Sequence, residues 1–501
     1  MAEPYYITTA ISYPNGRPHI GHAYEAIAAD AMARFRRAQG RDVRLVTGTD
    51  EHGLKMVQAA RAENRDTLEY ADEMSSYFKA MCDTLDISYD AFVRTSEDRH
   101  HAASIALWKA LEAAGDLYLD RYEGWYSVRD EAFYDEKELV AGEGGEQLSP
   151  QGTPVEWTAE ETWFFRLSKY QEPLLAHFRD NPGFIQPDSR RNEVLRFVEG
   201  GLNDLSVSRT SFDWGVPVPG SPGHVMYVWV DALTTYMSGV GFPDRDGDFA
   251  RFWPADVHLI GKDIVRFHTV YWPAFLMSAK LPLPKQVFGH GFLLARGEKM
   301  SKSLGNVVDP MALAERFGVD PLRYFLLREI SFGQDGSYSA EAIATRCNAE
   351  LANSFGNLAQ RSLSMVFKNL DGILPPPGQA EEDLKLQALV VTAAQMEMPR
   401  AFDQFAFSVG IEAWLRAVFA CNQYVDAMAP WALRKTDPMR MAEVLGTVVG
   451  CVRALAEAIQ PIIPTSAQRL LDFIGGGEGG QPIAAPTPIF PRLELTEDDS
   501  Q

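Results

Sequence analysis

The pattern at the start of the chain is the sequence feature that most limits its fold. Residues 5–11 form an apolar run with the length of a buried strand, and a second strand pattern covers residues 42–48. Between them, apolar residues recur at spacings of three and four, at Ile20, Tyr24, Ile27, Ala31 and Phe35. This spacing places them on one face of a helix, which Gly40 is suited to end. Strand, helix and strand in this order predict a β-α-β unit of a parallel sheet.

The segment His19-Ile20-Gly21-His22 lies at the predicted turn from strand to helix. Backbone N–H groups and the positive end of the helix favour phosphate at such a turn. Gly21 permits the close approach of a nucleotide, and the two imidazoles can donate hydrogen bonds to phosphoryl oxygens. Taken alone, these residues more often are ordinary turn histidines, so a second observation is needed.

That observation is the polar segment 296–306, RGEKMSKSLGN, which carries Lys299 and Lys302 between glycines. Loop lysines can meet the charge that develops on pyrophosphate as it leaves. Taken alone, the segment equally fits a solvated surface loop. The chain contains no GxxxxGK[ST] loop and no GxGxxG turn that follows a strand, which disfavours a Walker-type ATPase and a dinucleotide enzyme. Together the two segments predict one site for a nucleoside triphosphate.

Four further segments accompany this pair, namely 10–16 (AISYPNG), 48–53 (GTDEHG), 228–232 (VWVDA) and 259–268 (LIGKDIVRFH). With them, the chain resembles the class I aminoacyl-tRNA synthetases, whose signatures are HIGH and KMSKS, and within that class the methionyl-tRNA synthetase family. The resemblance covers nearly the whole chain. It implies that ATP, with Mg²⁺, contacts residues of both signatures and of the last segment, namely His19, Gly21, His22, Gly261, Asp263, Lys299 and Lys302. Of these, the two histidines and the two lysines are the expected catalytic residues.

A methionine site must be apolar, shaped for a thioether and lined by aromatic rings. The resemblance implies that the substrate ammonium is held by Asp50 and that the remaining contacts come from Ile11, Tyr13, Trp229, Ala232, Tyr236, Ile264 and His268. Without the resemblance, Trp229 and Tyr236 would be assigned to ordinary core packing. The chain departs from many relatives at one position, because Leu233 stands where they have proline.

Selectivity against methionine analogues is expected to be modest, because one methylene changes binding in an apolar pocket by only about 1–3 kcal/mol. Norleucine should therefore be poorly excluded. The chain has no room for the large hydrolytic editing insertion of the leucine, isoleucine and valine enzymes. The sequence thus predicts that selection takes place at the synthetic site alone.

The cysteines predict neither a disulfide framework nor a metal site. They occur singly, at Cys82, Cys347, Cys421 and Cys451, without any CxxC pair. Many members of the family carry zinc knuckles in the insertion between the sheet halves, and residues 126–134 lack the required thiols. We therefore expect no structural zinc and no other protein-bound metal.

The expected fold class is α/β, with a Rossmann-like parallel-sheet catalytic domain, an inserted connective domain and an all-α anticodon-binding helix bundle. Long helical patterns with alanine and leucine from about 339 to 473 predict the bundle. The expected boundaries are 1–114 and 221–290 for the two catalytic halves, 115–220 for the insertion that contacts the tRNA acceptor end, 291–345 for the KMSKS loop and stem-contact region, and 346–501 for the bundle.

Anticodon recognition requires aromatic stacking and hydrogen bonds to splayed bases. Asn357 and Arg361 are spaced i, i+4 on one predicted helix face, and Trp431 matches the stacking tryptophan of the family. The formal net charge of −21 is unusual for a protein that binds nucleic acid, but RNA needs only a local basic path. Candidate residues for that path are Arg190, Arg191, Arg196, Arg434, Lys435 and Arg440.

The resemblance implies a methionine–tRNA ligase that forms methionyl-adenylate from L-methionine and ATP and then charges tRNA(Met). Alternatives are a class I synthetase of another amino acid specificity, a nucleotidyltransferase that shares only the HxGH turn, and a non-catalytic RNA-binding paralogue. The sequence shows no export signal and no run of about 18 apolar residues, and no C-terminal dimerisation domain. We therefore expect a cytoplasmic monomer that does not bind membranes.

Overall fold

The computed structural model describes residues 2–127, 132–134, 136–142, 145–295, 298–299 and 307–495. The chain divides into two compact units, which are described separately. The sheet unit comprises the residues up to Pro18, Gly40–Asp83 and Ser88–His290. The helical unit comprises His19–Gln39, Thr84–Ile87 and the residues from Gly291 onward.

A parallel sheet is the centre of the sheet unit. Its strands lie in the order β3-β2-β1-β13-β14-β9, and each neighbouring pair is parallel. Their bounds are β1 Pro4–Thr9, β2 Asp42–Thr49, β3 Ala91–Arg94, β9 Ile185–Gln186, β13 Val257–Gly261 and β14 Val287–His290. β1 and β2 are buried along most of their length, as expected for strands covered on both faces.

Between β3 and β13 the chain forms an antiparallel sheet with the order β10-β8-β4-β5. Its long pair is β4 with β8, and two small ladders, β6 with β7 and β11 with β12, accompany it. The bounds are β4 Leu117–Ser127, β5 Ala132–Tyr134, β6 Val140–Ala141, β7 Gln147–Leu148, β8 Glu156–Phe165, β10 Leu205–Ser206, β11 Ser208–Arg209 and β12 Val225–Met226.

The helices of the sheet unit pack around a continuous apolar core that includes Trp108, Phe275 and Trp272. Edge-to-face aromatic contacts such as Phe165 with Phe275, at 4.8 Å between ring centroids, contribute to it. The helices are α2 Leu54–Ala62, α3 Thr67–Thr84, α4 Asp98–Ala113, α5 Gln171–Asp180, α6 Asp188–Glu199, α7 Val228–Ser238, α8 Gly247–Phe252 and α9 Trp272–Ser278. The turn Phe267–Tyr271 that precedes α9 is π-helical.

The helical unit contains α1 and the helices of the C-terminal bundle, with a small sheet in the order β16-β15-β17. Its helices are α1 Ile20–Ala38, α10 Pro310–Phe317, α11 Val319–Glu329, α12 Ala340–Cys347, α13 Asn357–Asn369, α14 Glu381–Thr392, α15 Met398–Phe402, α16 Phe407–Met428, α17 Pro430–Thr436, α18 Pro438–Ile459 and α19 Pro464–Gly475. Its strands are β15 Leu293–Ala295, β16 Glu298–Lys299 and β17 Gly336–Tyr338.

A buried charge joins α1 to the bundle within the helical unit. The guanidinium of Arg323, on α11, donates to Asp30 of α1 at 2.5 Å and to the carbonyls of Leu85, Pro461 and Ile462. Both members of the Arg323–Asp30 pair are fully buried. Because the carboxylate and three carbonyls satisfy the guanidinium, this cation is tolerated in the interior.

The structure confirms the predicted α/β class, with its parallel sheet and helical C-terminal region. The predicted strand–helix–strand pattern appears as β1, α1 and β2, and Gly40 adopts a positive φ of 79° directly after the helix. The sequence did not predict that β9, inside the expected insertion, adds to the edge of the main sheet. Within the described part of the chain, no helix has the length and apolarity needed to cross a membrane.

Candidate active site

The carboxyl ends of β2, β1 and β13, three neighbouring parallel strands, carry residues that the sequence assigns to the site. Asp50 directly follows β2, Ile11 and Tyr13 follow β1, and β13 ends at Gly261. The backbone N–H of Asp50 donates to the carbonyl of Ser12 at 2.9 Å, which holds the two strand ends together. The carboxyl edge of an open parallel sheet is where α/β folds bind ligands.

An apolar wall lies on α7 and the loop after β1. Ala232 and Tyr227 are buried and pack against the half-buried Ile11 and Trp229. The indole of Trp229 stacks on Phe267 with 3.6 Å between ring centroids and 12° between planes. Leu233, the position that departs from many relatives, is 1% exposed and belongs to the main core.

Tyr236 and His268 form a buried polar pair in the same unit. The Tyr236 hydroxyl donates to Nε2 of His268 at 2.6 Å, and Nδ1 of His268 donates to the carbonyl of Ile264 at 2.9 Å. Burial lowers the pKa of His268 to about 4. The imidazole is therefore neutral at physiological pH and carries its proton on Nδ1.

A second buried histidine, His258, supports this pair, and the sequence analysis did not identify it. Its ring lies 4.3 Å from the Tyr236 ring. Trp272 donates to Nε2 of His258 at 3.2 Å, so Nδ1 holds the proton and donates to Thr8 at 2.8 Å. Burial lowers the pKa of His258 well below its ordinary value. The two histidines beside Tyr236, His258 and His268, are therefore uncharged, which suits an uncharged thioether.

Arg209 is a further residue that the sequence analysis missed. Its guanidinium is buried and lies 3.7 Å from the centroid of the Tyr227 ring. Nη1 donates to the hydroxyl of Ser206 at 2.7 Å and to the carbonyl of Ser208 at 2.6 Å. A buried cation beside the apolar wall can attract a substrate carboxylate. Nothing in its local sequence distinguishes this arginine from a surface one.

The predicted phosphate motif lies in the helical unit, where His19 caps α1. Nδ1 of His19 accepts from the N–H of Gly21 at 3.1 Å, and Nδ1 of His22 accepts from the N–H of His19 at 3.0 Å. Because both Nδ1 atoms accept, each neutral ring carries its proton on Nε2, a donor suited to a phosphate oxygen. A Cβ on Gly21 would stand 2.8 Å from the His19 ring, which explains the need for glycine.

The segments around the second signature lie close to the first one in the same unit. β15 packs against α1, and the N–H of Ile20 donates to the carbonyl of Val308 at 3.0 Å. Lys299 lies in β16, paired through its backbone with Leu294 of β15. Lys302 lies outside the described residues. The structure therefore brings the flanks of the HIGH and KMSKS segments together.

Gly261 and Asp263, the other two residues expected at ATP, lie at the end of β13 in the sheet unit. Asp263 is exposed, in a short 3₁₀ turn. A Cβ on Gly261 would stand 2.7 Å from a carboxylate oxygen of Asp263. A side chain at position 261 would therefore displace the Asp263 carboxylate.

The predicted anticodon residues come together on one surface of the helical unit. Asn357 and Arg361 occupy the first turns of α13, and Asn357 is exposed. The guanidinium of Arg361 lies 6.0 Å from the ring centroid of Trp431 on α17 and donates to Asp426 at 3.0 Å. Trp431 is 49% exposed, which is unusual for a tryptophan in a helical bundle.

The basic candidates differ in their environments. Arg434 and Lys435 are exposed on α17, three and four residues after Trp431, so they share its side of the helix. Arg440 does not: it donates to both oxygens of the buried Asp383, at 2.5 and 2.7 Å. We therefore remove Arg440 from the candidate RNA path, because its guanidinium forms an ion pair within the bundle.

Two family models match the chain. The model described as tRNA synthetases class I (M) matches residues 5–363, and the model described as the anticodon binding domain of methionyl tRNA ligase matches residues 377–484. The chain belongs to the methionyl-tRNA synthetase family. The match of the two models reproduces the predicted order of a catalytic region followed by an anticodon-binding region.

Relatives and solved structures of the methionyl-tRNA synthetase family align along almost the whole chain. The methionine–tRNA ligase of Brucella suis is 55% identical and covers 100% of this chain and 99% of its own length. That of Rhizobium meliloti is 56% identical, with 99% of each chain covered. The Mycobacterium tuberculosis synthetase in complex with methionyl-adenylate superposes with a TM-score of 0.94 at 54% identity, covering 98% of this chain and 100% of its own.

The expectation that this chain binds no metal concerns its cysteines and the segment in which relatives carry zinc knuckles. All four cysteines are buried free thiols, and within the described ranges no group of three or more His, Cys, Asp and Glu side chains could hold a metal ion. Residues 128–131 of the segment in which relatives carry knuckles lie outside the described residues. The absence of zinc therefore stays a prediction.

Proposed function

We propose that this chain is an ATP-dependent methionine–tRNA ligase. In the first step a carboxylate oxygen of L-methionine attacks the α-phosphorus of ATP, and pyrophosphate leaves from that phosphorus. In the second step a hydroxyl of the 3′-terminal adenosine of tRNA(Met) attacks the carbonyl carbon of methionyl-adenylate, and AMP leaves. The hydroxyl proton is released as the ester forms.

Methionine binding is assigned to the sheet unit. Asp50, at the end of β2, supplies the negative charge for the ammonium group. Ile11, Tyr13, Trp229, Ala232 and Ile264 enclose the side chain, and the neutral Tyr236–His268 pair closes its inner end. Because the imidazole is neutral, it meets the polarizable sulfur without a desolvated charge. Arg209 is assigned to the substrate carboxylate because it is the buried cation beside this wall.

Phosphate handling is assigned to the two signatures of the helical unit. The Nε2–H groups of His19 and His22 donate to phosphate oxygens, and Gly21 keeps the start of α1 open to the nucleotide. Lys299 and Lys302 neutralise the charge that accumulates on pyrophosphate as it departs. Gly261 and Asp263 contact the nucleoside part of ATP. Mg²⁺ is the ordinary partner of the ATP phosphates.

Anticodon recognition is assigned to Asn357, Arg361 and Trp431. The half-exposed indole offers a stacking surface, while the amide and guanidinium can reach base edges. Arg434 and Lys435, on the same side of α17, supply positive charge for the RNA backbone. We further propose that the enzyme is a cytoplasmic monomer without structural zinc, for which gel filtration with light scattering and elemental analysis are the tests.

The observation that carries the proposal is the convergence at the carboxyl edge of β2, β1 and β13. Ile11 packs with Ala232, more than 200 positions away in sequence, and follows the strand next to the one that ends at Asp50. Tyr236, on the same helix as Ala232, bonds to the neutral His268. We interpret these groups as a charged anchor, an apolar wall and a neutral polar end. That combination fits an amino acid with an uncharged side chain. A non-catalytic RNA-binding protein has no need for such a lining.

The test is aminoacylation of a tRNA(Met) transcript, compared with the same transcript carrying a changed anticodon. We expect charging with methionine that depends on ATP and falls sharply with the changed anticodon. Charging with another amino acid would move the chain to a different specificity. Tight binding of the transcript without any charging would make it an RNA-binding paralogue.

A further inference from the structure

The second face of α7 carries a buried charge that the proposed reaction leaves without a role. Successive residues of a helix are rotated by about 100°, so Asp231 points about 200° away from Trp229. Trp229, Ala232 and Tyr236 share the face toward the apolar wall. Asp231 and Ser238 share the opposite one, which packs against α4. Asp231 is fully buried.

Two histidines hold the Asp231 carboxylate. Nδ1 of His52 lies 2.6 Å from Oδ2, and Nε2 of His100, on α4, lies 2.7 Å from Oδ1. Burial alone would raise the pKa of Asp231, but the two histidines outweigh it and keep that pKa below its ordinary range. The carboxylate is therefore ionised and accepts from both rings.

His52 belongs to the loop that carries Asp50, and other bonds fix that loop to the neighbouring loops. Tyr13 donates to the carbonyl of His52 at 2.9 Å, Trp214 donates to the carbonyl of Glu51 at 2.6 Å, and the N–H of Glu51 donates to Thr95 at 2.8 Å. The bond from His52 to Asp231 instead connects the loop to α7. Asp231 thus links the ammonium anchor to the helix that bears the side-chain wall.

We propose that Asp231 is a positioning residue that sets the distance between Asp50 and the wall formed by Trp229 and Ala232. Methionine carries its ammonium and its thioether on one short chain, so both contacts form together only when that distance is correct. Asp231 contacts neither group of the substrate. This proposal rests on the proposed function, because it takes Asp50 and α7 as the two ends of the methionine site.

The experiment compares two competitive inhibitors of methionine-dependent ATP–pyrophosphate exchange. L-Methioninol has the ammonium group and the side chain, whereas 4-(methylthio)-1-butanol has the same side chain without the ammonium. In the wild type, methioninol should bind much more tightly. In Asp231→Ala we expect this advantage to shrink by about 10- to 100-fold, since a misplacement of about 1 Å has effects of that size. The affinity for the butanol should change little.

Three further variants separate positioning from stability. Asp116→Asn alters another buried carboxylate of the sheet unit, whose partners Lys169, Tyr170 and Ser278 include no residue of the Asp50 loop or of α7. It should lower the melting temperature without changing the inhibitor ratio. In His52→Asn the side-chain amide nitrogen takes the place of Nδ1 and can still donate to Asp231, so the ratio should be retained, whereas His52→Ala should lose it.

Equal weakening of both inhibitors in Asp231→Ala would overturn the proposal, as would loss of the ratio in Asp116→Asn. If Asp231→Ala does not fold, the comparison of His52→Asn with His52→Ala tests the proposal instead. The same ratio of inhibitor affinities in these two variants would also overturn the proposal. Failure of the proposed function looks different, because the wild-type protein would then show no methionine-dependent exchange at all.

Discussion

The proposed methionine site and the proposed anticodon surface differ in how far their side chains are exposed. In the sheet unit, Tyr236 and His268 are each 2% exposed and are joined by a hydrogen bond. In the helical unit, Trp431 is 49% exposed and Asn357 is exposed as well. A small amino acid must be enclosed to be distinguished, whereas an RNA base brings its own large flat surface and needs only a platform.

This difference implies that the two regions respond to different changes. An enclosed site depends on charge balance and on fixed distances, since buried groups without partners are costly. An exposed platform depends on one aromatic face and on nearby positive charge. Their interactions with RNA are weakened by water and by salt, so the loss of one group has a smaller effect. The four predictions below test this contrast.

The largest effect is expected for Asp50→Asn. Removing one partner of a desolvated charge pair should lower kcat/KM for methionine in ATP–pyrophosphate exchange by about two to three orders of magnitude. The Kd for tRNA, measured by filter binding, should stay unchanged. Asp256→Asn is the control, because Asp256 precedes β13 at the opposite edge of the same sheet. Equal losses in both variants would remove Asp50 from the site.

Acid should affect the sheet unit before the bundle. An exposed histidine titrates near 6.5, and burial lowers the pKa of His268 to about 4. As the pH falls, the unfolded chain therefore binds this proton before the folded chain does. The free energy of unfolding falls between pH 6.5 and 4, and the total loss is about 3 kcal/mol. His268→Gln should show a smaller loss of melting temperature over this range.

The bundle provides the contrasting case. Hydrogen bonds from Arg440, opposed by burial and aided by Tyr424, lower the pKa of Asp383 below 3.8. Because this pKa is lowered in the folded state, the stability from the ionised carboxylate persists above pH 3.8 and is lost as the pH falls further. Asp383→Asn should therefore lose as much stability as the wild type between pH 6.5 and 4, because its own carboxylate does not titrate in that range. An acid loss shared equally by all three proteins would contradict the assignment to His268.

A smaller effect is expected at the anticodon platform. Trp431→Ala should reduce kcat/KM for tRNA(Met) in aminoacylation by about 5- to 150-fold, the range for loss of one base–aromatic stack. Methionine-dependent exchange should be unaffected. Phe367→Ala serves as the control, since Phe367 is also exposed on α13 at 40% but lies away from Arg361. A comparable loss in that variant would point to damage of the helix rather than of a platform.

The smallest effect is expected for Arg434→Ala, which removes one exposed positive charge beside Trp431. The tRNA affinity should fall only a few-fold, and the slope of log Kd against log salt should fall by about 0.7 to 1. Arg440→Ala should leave that slope unchanged while lowering bundle stability by about 3–5 kcal/mol, because it leaves Asp383 buried without its partner. If Arg440→Ala changed the slope of log Kd against log salt, Arg440 would have to contact the RNA backbone after all.

Much of the fold follows from local patterns. β1, α1 and β2 were predicted because alternation of strand and helix periodicity is a property of neighbouring residues, and the helical spacing of Asn357 and Arg361 is also local. β9 was not predicted because two residues carry no periodic signal, and only the distant β14 gives them a partner. The antiparallel pairing of β4 with β8 likewise depends on residues about 40 positions apart.

The site divides in the same way. The signature residues could be predicted because their spacing along the chain is short and characteristic, and the methionine residues because the family resemblance indicated them. His258, Arg209 and the His52–Asp231–His100 group were missed, since each is an ordinary residue until the fold surrounds it. Asp231 and His100 are 131 positions apart, and their 2.7 Å contact has no trace in either local sequence.

The central claim is that the lining at the carboxyl edge of β2, β1 and β13 selects methionine. The most direct test is amino-acid-dependent ATP–pyrophosphate exchange across the twenty amino acids, with Lys302→Ala as the inactive control. The account predicts exchange with methionine alone among the twenty, lost in the control. Exchange driven by a different amino acid, or none from folded wild-type protein, would contradict it.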